Sequence, residues 1–361
     1  MRKKKVLVGM SGGVDSSVSA ALLKEDGYDV SGVFMQIRDE RYRNLLSAQS
    51  CFVQEETDIK DVKKVAEILG IQLYTVDLSK EFSNTVLDYF VKEYNIGRTP
   101  NPCIICNRFL KFGLLADRVR QMMDKEFDLF ATGHYVIAGQ DIKSRRYFLK
   151  QGKDKKKEQS YFLFLLTQKQ LSNVLFPLGE YTKDEVRKVA SRYVFPINTK
   201  KESQDFAKGD ISCLFNGEAK AGEITDKDGN ILGSHKGIAF YTIGQRKGTG
   251  VAKGVPLYVE RIDQTQNRII VGEKRDIYKR EFLVENVNWV SVKGIEKEFK
   301  AEVKIRYKHN GASASISTHS HKGEVRVVFD NPQWAITPGQ AAVFYKGDIL
   351  LGGGFIKTVS D

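Results

Sequence analysis

Apolar residues follow two different periods in the first half of the chain, and each period predicts a type of element. Short apolar runs over residues 6–8, 29–35, 71–76 and 128–135 predict buried parallel strands. Between these runs, apolar residues at helical spacing predict helices over 18–24, 58–69 and 82–94, while residues 36–50 are polar and irregular. The alternation of strand and helix predicts a parallel sheet wound with helices on both faces.

The pattern changes at about residue 208, where helical spacing gives way to glycine-containing turns and short alternating strands. Such strands are predicted over 238–242, 257–262 and 268–271, and then over 301–307, 324–329, 341–345 and 349–354. We therefore predict an α/β protein with a doubly wound parallel sheet over 1–207. A small β-rich domain over 208–280 and a C-terminal β-barrel over 281–361 follow.

One predicted barrel strand, 301–307, has a charged face. Alternation places Val303 and Ile305 on one side and Lys304 and Arg306 on the other. The charged side is either a solvated surface or a nucleic-acid surface.

The charge balance is the compositional feature that changes this picture. The 361 residues carry a formal net charge of +12, which favours a polyanionic partner, nucleic acid before membrane, although it could also serve solubility alone. No apolar run of about 18 residues occurs, so we expect no membrane span. The basic first five residues lead straight into a strand, and the four cysteines are too few for a disulfide framework, so we expect a cytoplasmic protein.

The segment between the first strand and the first helix is the clearest candidate site. Glycines at 12 and 13 allow close approach of the backbone to a ligand, and the helix start presents unpaired N–H groups to an anion such as pyrophosphate. Hydroxyls of Ser11, Ser16 and Ser17 would add donors, and Asp15 could hold Mg²⁺. The chain lacks the Walker lysine at this loop. The alternative is a polar turn with a serine cap.

A second candidate segment is the proline-containing loop 97–107, after which we predict a helix that begins at Asn107. Cys103 and Cys106 form a C-x-x-C pair just ahead of that start, where a thiol would have a lowered pKa. A single pair does not make a four-cysteine zinc site, and the alternative is two inert, packed thiols.

Two further features follow along the chain. His134 lies at the carboxyl end of the strand predicted over 128–135, where either a structural or a functional role is open. Residues 143–157 are strongly basic, which fits contact with a phosphate backbone or a solvated hairpin. The cations are Lys143, Arg145, Arg146, Lys150, Lys153, Lys155, Lys156 and Lys157.

The S-G-G-x-D-S-S string resembles the PP-loop of ATP pyrophosphatases, which cleave ATP to AMP and pyrophosphate while adenylating a carbonyl oxygen. An ordered set of motifs resembles the tRNA-specific 2-thiouridylases over nearly the whole chain. The motifs are G-M-S-G-G-V-D-S-S at 9–17, the 97–107 loop, A-T-G-H-Y at 131–135, K-E-Q-S-Y-F-L at 157–163, Y-T-I-G-Q-R-K-G at 241–248 and I-R-Y at 305–307.

This resemblance implies roles for individual residues. The ATP loop falls on Gly9, Met10, Ser11, Gly12, Gly13, Val14, Asp15, Ser16 and Ser17, with Met35 and Gly133 near the adenine. The target-base loop falls on Asn101, Pro102 and Cys103, and the nucleophile on Cys106. Contacts with tRNA fall on His134, Lys157, Glu158, Gln159, Arg306, Tyr307 and Gln340.

The implied reaction adenylates the C2 carbonyl of the wobble uridine with ATP and Mg²⁺. Sulfur from a cysteine persulfide then displaces AMP and leaves 2-thiouridine. A cysteine desulfurase or a relay protein would supply the sulfur, and we expect the enzyme to be a monomer.

The chain departs from the family pattern at three positions. Family members often have Asp where this chain has Cys103, and Asp where it has Glu158. More seriously, the persulfide-carrying cysteine aligns with Ala207, which cannot carry sulfur.

Four alternatives stay open because of Ala207. Cys103 could exchange sulfur with Cys106, or Cys213 could take the missing role. The three thiols could bind an iron–sulfur cluster. The chain could also be a tRNA-binding homologue that has lost catalysis. A separate rival is another PP-loop enzyme that adenylates a small molecule.

Overall fold

A parallel sheet lies at the centre of the N-terminal half of the computed structural model. The structure describes residues 2–38, 56–123, 126–193, 195, 197, 206, 212–215, 219–251, 254–319 and 323–360. In chain order the strands are β1 (Lys5–Met10), β2 (Asp29–Gln36), β3 (Gln72–Asp77), β4 (Leu129–Ala131), β5 (Val136–Gln140), β6 (Tyr147–Gln151) and β7 (Val174–Leu175).

Helices connect these strands. They are α1 (Val14–Glu25) and α2 (Glu56–Leu69), then α3, an unbroken series of Ser79–Phe82, Ser83–Leu87 and Asp88–Asn95. Next come α4, an unbroken series of Pro102–Ile105, Cys106–Leu114 and Leu115–Met123, and then α5 (Gln168–Leu171) and α6 (Lys183–Arg192). The middle segments of α3 and α4 are π-helical.

The sheet order is β3-β2-β1-β4-β7, and every pairing in it is parallel. Successive residues of β1 point to opposite faces: Leu7 packs with α3 and α4, whereas Val6 and Val8 pack with α1, α2 and α6. The predicted doubly wound α/β domain is therefore confirmed. Strand order reverses between β1 and β4, so the loops that follow these two strands meet at the switch point where such sheets bind ligands.

A smaller sheet follows, in the order β10-β11-β8-β9. Its strands are β8 (Gly222–Thr225), β9 (Ile231–His235), β10 (Tyr258–Asp263) and β11 (Arg268–Gly272). The strand predicted over 238–242 is wrong, because Ile238–Phe240 forms a short 3₁₀ turn. Consecutive residues Ile238 and Ala239 are both buried there, which an alternating strand with one solvent face does not allow.

The C-terminal region is a closed antiparallel barrel of six strands, as predicted. They are β12 (Tyr278–Trp289), β13 (Phe299–Lys304), β14 (Ala312–Thr318), β15 (Val325–Trp334), β16 (Ala341–Lys346) and β17 (Ile349–Val359). The order β12-β15-β14-β13-β16-β17 closes because β17 also pairs with β12. The hairpin of β5 and β6 extends this sheet, since Leu149 pairs with Leu350.

The α/β domain and the barrel share one hydrophobic core. Phe355 of β17 lies 5.8 Å from Phe164 and 6.4 Å from Tyr89 of α3, measured between ring centroids. The Tyr161 hydroxyl donates to the Ala341 carbonyl at 3.0 Å, and burial raises the pKa of that phenol. Cutting the chain before the barrel would therefore expose apolar surface of the N-terminal half.

Only part of the charged face predicted on strand 301–307 is solvated: Glu302 and Lys308 are exposed, whereas Lys304 is not. Strand β13 ends at Lys304, whose side chain is only 15% exposed and lies 3.9 Å from the Glu158 carboxylate. The Lys304 ammonium also lies 5.3 Å from the centre of the Tyr345 ring. The alternation was correct, but Glu158 of the α/β domain packs against the end of this side, at Lys304. Among the described residues, no helix is both long and apolar enough to cross a membrane.

Candidate functional site

The turn between β1 and α1 has the backbone shape that an anion site requires. Gly12 has a φ of +74°, and a Cβ at this position would lie 3.1 Å from the Asp58 carbonyl oxygen, so only glycine fits without strain. Gly13 caps α1 with an ordinary extended conformation. The unpaired N–H groups of the first turn of α1 then face the carboxyl edge of the sheet.

Two of the three predicted serine donors have another role in this structure. The hydroxyls of Ser16 and Ser17 donate to the Gly13 carbonyl at 3.1 and 3.0 Å, and both side chains are buried. The Ser11 N–H donates to the Ser16 hydroxyl at 3.2 Å. These bonds brace the turn, so an anion bound here would be held by backbone N–H groups and by the exposed Ser11.

The loop after β4 packs directly on residues 9–17, which we call the phosphate loop after its predicted ligand. A Cβ on Gly133 would lie 2.8 Å from both the Asp15 carbonyl carbon and the Ser16 nitrogen, so a side chain is excluded. Met35, at the end of β2, is partly buried on the same edge of the sheet. Met35, Gly133 and the phosphate loop therefore lie at one edge of the sheet, and their contacts with ATP stay predictions.

His134 is held neutral at this edge. Its Nδ1 lies 2.7 Å from the Thr132 hydroxyl, and its ring packs between Phe112 and Phe176. Burial and then the nearby charge of Lys111 lower the pKa of His134 to about 3. The ring is therefore uncharged at neutral pH and would contact tRNA by hydrogen bonding or stacking, not as a cation.

Asp15, which is partly exposed, forms an ion pair with a buried lysine that the sequence did not predict. The Lys183 ammonium lies 2.8 Å from Oδ1 and 2.9 Å from Oδ2 of Asp15, and Lys183 is only 8% exposed. The Tyr135 hydroxyl donates to Asp15 Oδ1 at 2.7 Å. Across the described ranges, no three His, Cys, Asp or Glu side chains group closely enough to hold a metal ion by themselves.

The two cysteines of the C-x-x-C pair lie inside a helix, not ahead of it. Helix α4 begins at Pro102, which occupies a first-turn position that suits proline, so Cys103 is in the first turn and Cys106 in the second. Cys106 is buried, and this burial raises its pKa, although the nearby Lys111 opposes the shift. The predicted lowering of the Cys106 pKa is therefore wrong, because the helix starts five residues earlier than expected.

The loop that leads into this helix is held by hydrogen bonds from the barrel and from the central domain. The Gln340 amide donates to the carbonyl oxygens of Thr99 and Pro100 at 2.9 and 3.4 Å. The Thr99 N–H donates to the Pro338 carbonyl at 2.9 Å. The Thr99 hydroxyl donates to the Thr242 hydroxyl of the central domain at 3.1 Å.

Arg98 adds a charged contact to this set. Its guanidinium lies 2.9 Å from Glu93 of α3 and 2.7 Å from Glu285 of β12. We call residues 97–101, with their partners Thr242, Glu285, Pro338 and Gln340, the loop clamp. The clamp fixes the direction in which α4 leaves the loop, and hence the position of Cys103 and Cys106.

Several residues that the resemblance assigns to tRNA have internal partners. Glu158 is 5% exposed and burial raises its pKa, and the Gln159 amide oxygen accepts the Tyr135 N–H at 3.1 Å. Arg306 donates to the Trp334 carbonyl, and the Tyr307 ring lies 4.5 Å from Phe162. Their contacts with tRNA stay predictions, and in this structure Glu158, through Lys304, and Tyr307, through Phe162, join the α/β domain to the barrel.

The basic run covers the turn and the second strand of the β5–β6 hairpin and the segment that follows, and several of its cations have partners within the molecule. Arg146 donates to the Val290 carbonyl, and Lys153 and Lys155 pair with Glu185 and Asp348. Lys143 and Arg145 are exposed in the turn between β5 and β6. Hydrogen bonds from the Ser144 N–H and hydroxyl to Asp141 fix that turn and lower the Asp141 pKa.

Ala207 lies outside the described residues. Its neighbour Phe206 packs 5.0 Å from Phe90 of α3. Cys213 is partly buried and packs against the hydrophobic cluster that contains Cys106.

The sequence did not single out Lys111, Tyr135 or Lys183 as site residues. Lys111 lies close to both Cys106 and His134, and it could have been found by looking for a basic side chain on the helix that carries the C-x-x-C pair.

Three family models match consecutive parts of the chain. A tRNA methyl transferase HUP domain covers residues 4–207, a tRNA methyl transferase PRC-barrel domain covers 216–273, and an aminomethyltransferase beta-barrel domain covers 279–356.

Curated relatives match along nearly the whole length. The tRNA-specific 2-thiouridylase MnmA 1 of Caldanaerobacter subterraneus subsp. tengcongensis is 47% identical over 361 residues, which is 98% of each chain. MnmA 2 of Thermoanaerobacter sp. (strain X514) is 46% identical over 365 residues, again 98% of each chain. The Acetivibrio thermocellus enzyme of the same name is 43% identical over 368 residues, 99% of this chain and 100% of the relative.

Solved structures show weaker likeness. A 4-thiouridine synthetase in complex with RNA and bound ATP is 16% identical and covers 58% of this chain and 45% of its own, with a TM-score of 0.37. An NMN synthetase from Francisella tularensis is 15% identical and covers 60% and 69%, with a TM-score of 0.30.

The cysteine geometry generates a prediction about thiol reactivity. Because only the thiolate reacts and burial raises the pKa of Cys106, iodoacetamide at pH 7.5 should modify Cys103 at least about tenfold faster than Cys106. The rate at Cys106 should climb only as pH rises above the ordinary thiol range. Peptide mass spectrometry would measure both sites, with urea-unfolded protein as the control in which the two rates converge. Faster labelling of Cys106 in the folded protein would contradict the geometry.

Proposed function

The chain belongs to the family of tRNA-specific 2-thiouridylases, and we propose that it replaces the C2 oxygen of the wobble uridine in tRNA with sulfur, in a reaction that consumes ATP. The observation that carries this proposal is 43–47% identity over nearly the full length of relatives that bear this name. The phosphate loop at the switch point of the sheet and the clamped cysteine helix are the parts that this chemistry needs.

The first step is adenylation. The uridine C2 oxygen attacks the α-phosphorus of ATP, pyrophosphate leaves, and AMP becomes the leaving group on C2. The first turn of α1 and the Gly12 turn would hold the phosphates, while Met35 and Gly133 would pack against the adenine. Mg²⁺ would neutralise phosphate charge, and Asp15, a partly exposed carboxylate in that first turn, would be its ligand.

The second step transfers sulfur, and its atom balance requires two cysteines. The terminal sulfur of a persulfide attacks C2, and AMP leaves with the former C2 oxygen. A second thiolate then attacks the inner persulfide sulfur, so that one sulfur stays on the base and the two cysteines form a disulfide. A thiol reductant resets that disulfide, and a sulfur-donor protein reloads the persulfide.

Cys106 is the proposed nucleophile and would carry the persulfide. Cys103 is the first candidate for the second thiolate, which resolves that persulfide. The two lie three residues apart in α4, a spacing that puts Cβ atoms roughly 5–6 Å from each other. A disulfide needs about 3.5–4.5 Å, so the helix must open slightly, and π-helical hydrogen bonding from Cys106 onward favours such a distortion. Cys213 is the second candidate.

An iron–sulfur cluster on Cys103, Cys106 and Cys213 is the least supported alternative. Within the parts of the chain that are described, the thiols do not form a group suited to a metal ion. A tRNA-binding homologue that has lost catalysis is the second candidate function, and Ala207 is the observation that favours it.

The proposed tRNA surface spans the α/β domain and the barrel. The exposed cations Lys143 and Arg145 lie at the end of the hairpin that extends the barrel sheet. Contacts there would orient the anticodon arm by its phosphates, while the target base leaves the stack to reach the 101–106 segment.

Serine substitution of each thiol tests the sulfur step. Cys106→Ser should abolish thiolation of unmodified tRNA supplied with ATP, a sulfur donor and reductant, because the hydroxyl forms neither a persulfide nor a disulfide. Cys103→Ser should reduce it by at least about a hundredfold if Cys103 is the partner, whereas Cys213→Ser should be near wild type. Full activity of Cys106→Ser would refute the nucleophile assignment. A silent Cys103→Ser with an inactive Cys213→Ser would move the partner role to Cys213. Absence of thiolation in the wild-type chain, with tRNA binding intact, would favour the non-catalytic homologue.

Neutralising the hairpin end tests the tRNA surface. The double variant Lys143→Gln/Arg145→Gln should bind tRNA about tenfold more weakly at low salt, and the slope of log affinity against log salt should fall by up to about 2. The matched control is Lys63→Gln/Lys64→Gln, which removes two exposed charges from α2. Fluorescence anisotropy over a salt series would measure both. Unchanged affinity and slope in the hairpin variant would remove this surface from the interface.

A further inference from the structure

Lys183 occupies a position that is unfavourable for a lysine. It is the first residue of α6, at the positive end of its own helix, and it is 8% exposed. A buried ammonium next to a positive helix end loses hydration and gains repulsion. A side chain held in such a place needs a compensating anion.

The local structure fixes this placement firmly. Thr182 and Glu185 form a reciprocal capping box at the start of α6, and the Lys183 N–H donates to the Asp154 carboxylate at 2.9 Å. Glu185 is also paired with Lys153, and these hydrogen bonds lower its pKa to about 2. The helix start, and with it the Lys183 ammonium, is thus locked in position.

The anion that the ammonium meets is Asp15, in the first turn of α1. Both carboxylate oxygens lie within 2.9 Å of the Lys183 nitrogen. A carboxylate at a phosphate-binding helix start repels the ligand, and the Lys183 ammonium offsets that repulsion beside the Mg²⁺ proposed for this site. Through Asp15, the Lys183 ammonium therefore lies next to the first turn of α1, which would hold the phosphates.

We propose that Lys183 binds the β- and γ-phosphates of ATP and the pyrophosphate that leaves, and so supplies from α6 the lysine that the loop itself lacks. This inference rests on the proposed use of ATP. When nucleotide enters, the ammonium bridges Asp15 and the terminal phosphates. The contact is absent from AMP, which has only the α-phosphate.

The test compares ATP with AMP as probes of the full chain, without tRNA, by isothermal titration calorimetry in Mg²⁺ buffer. Lys183→Gln should weaken ATP binding roughly tenfold to a hundredfold, because a charged hydrogen bond is lost, and should leave AMP affinity within about twofold. Lys183→Arg keeps the charge and should lose less. Lys188→Gln removes an exposed lysine from the same helix and should match wild type.

Unchanged ATP affinity in Lys183→Gln, or equal weakening of ATP and AMP, would overturn the inference, because Lys183 would then only support the fold of the loop. The double variant Asp15→Asn/Lys183→Gln separates direct contact from simple neutralisation of Asp15. ATP binding should be no tighter than in Lys183→Gln, because the double variant also lacks the carboxylate proposed to hold Mg²⁺, and recovery to the wild-type level would overturn a direct contact.

The proposed function is judged separately. If the wild-type chain thiolates tRNA and Lys183→Gln binds ATP as tightly as the wild type, this inference is refuted and the proposed function stands. If the wild-type chain binds tRNA but neither ATP nor AMP, the proposed ATP-dependent step itself is refuted.

Discussion

The hydrogen bonds from the Gln340 amide to the carbonyl oxygens of Thr99 and Pro100 link the barrel to the catalytic half of the molecule. They end one residue before the cap of the helix that carries Cys103 and Cys106. With the Arg98–Glu285 pair and the Thr99–Thr242 bond, they tie one short loop to the barrel and to the central domain. The barrel is therefore part of the active-site scaffold as well as a proposed surface for tRNA.

The sequence allowed the main architecture to be predicted because its signals are local. The strand, glycine turn and helix at the phosphate loop, and the alternation of later strands, each depend on residues close together in the chain. Helix α4 was placed too late because two prolines and a glycine suggested an extended loop, whereas Pro102 fits the first turn of a helix. Lys304 was expected on an open face because alternation does not reveal which domain covers it.

Other features depend on contacts that no local pattern contains. Asp15 and Lys183 are 168 residues apart in sequence, and Gln340 lies more than 200 residues from the loop that it holds. The raised pKa of Cys106 likewise comes from burial in a core shared by two domains. These long-range contacts decide the charge at the phosphate loop and the reactivity of the thiol, which is why the predicted chemistry of both needed correction.

The central claim is that the barrel positions the cysteine helix through the loop clamp. Gln340→Glu is the most direct test, because the substitution keeps the side-chain shape and replaces the amide donor by a carboxylate that repels both carbonyl oxygens. Single-turnover thiolation should slow by about tenfold or more while tRNA affinity stays within about twofold of wild type, and Gln266→Glu, an exposed change in the central domain, should have no effect. If Gln340→Glu instead weakens tRNA binding and leaves the rate at saturating tRNA unchanged, Gln340 acts on tRNA directly and the clamp is not what positions the cysteines.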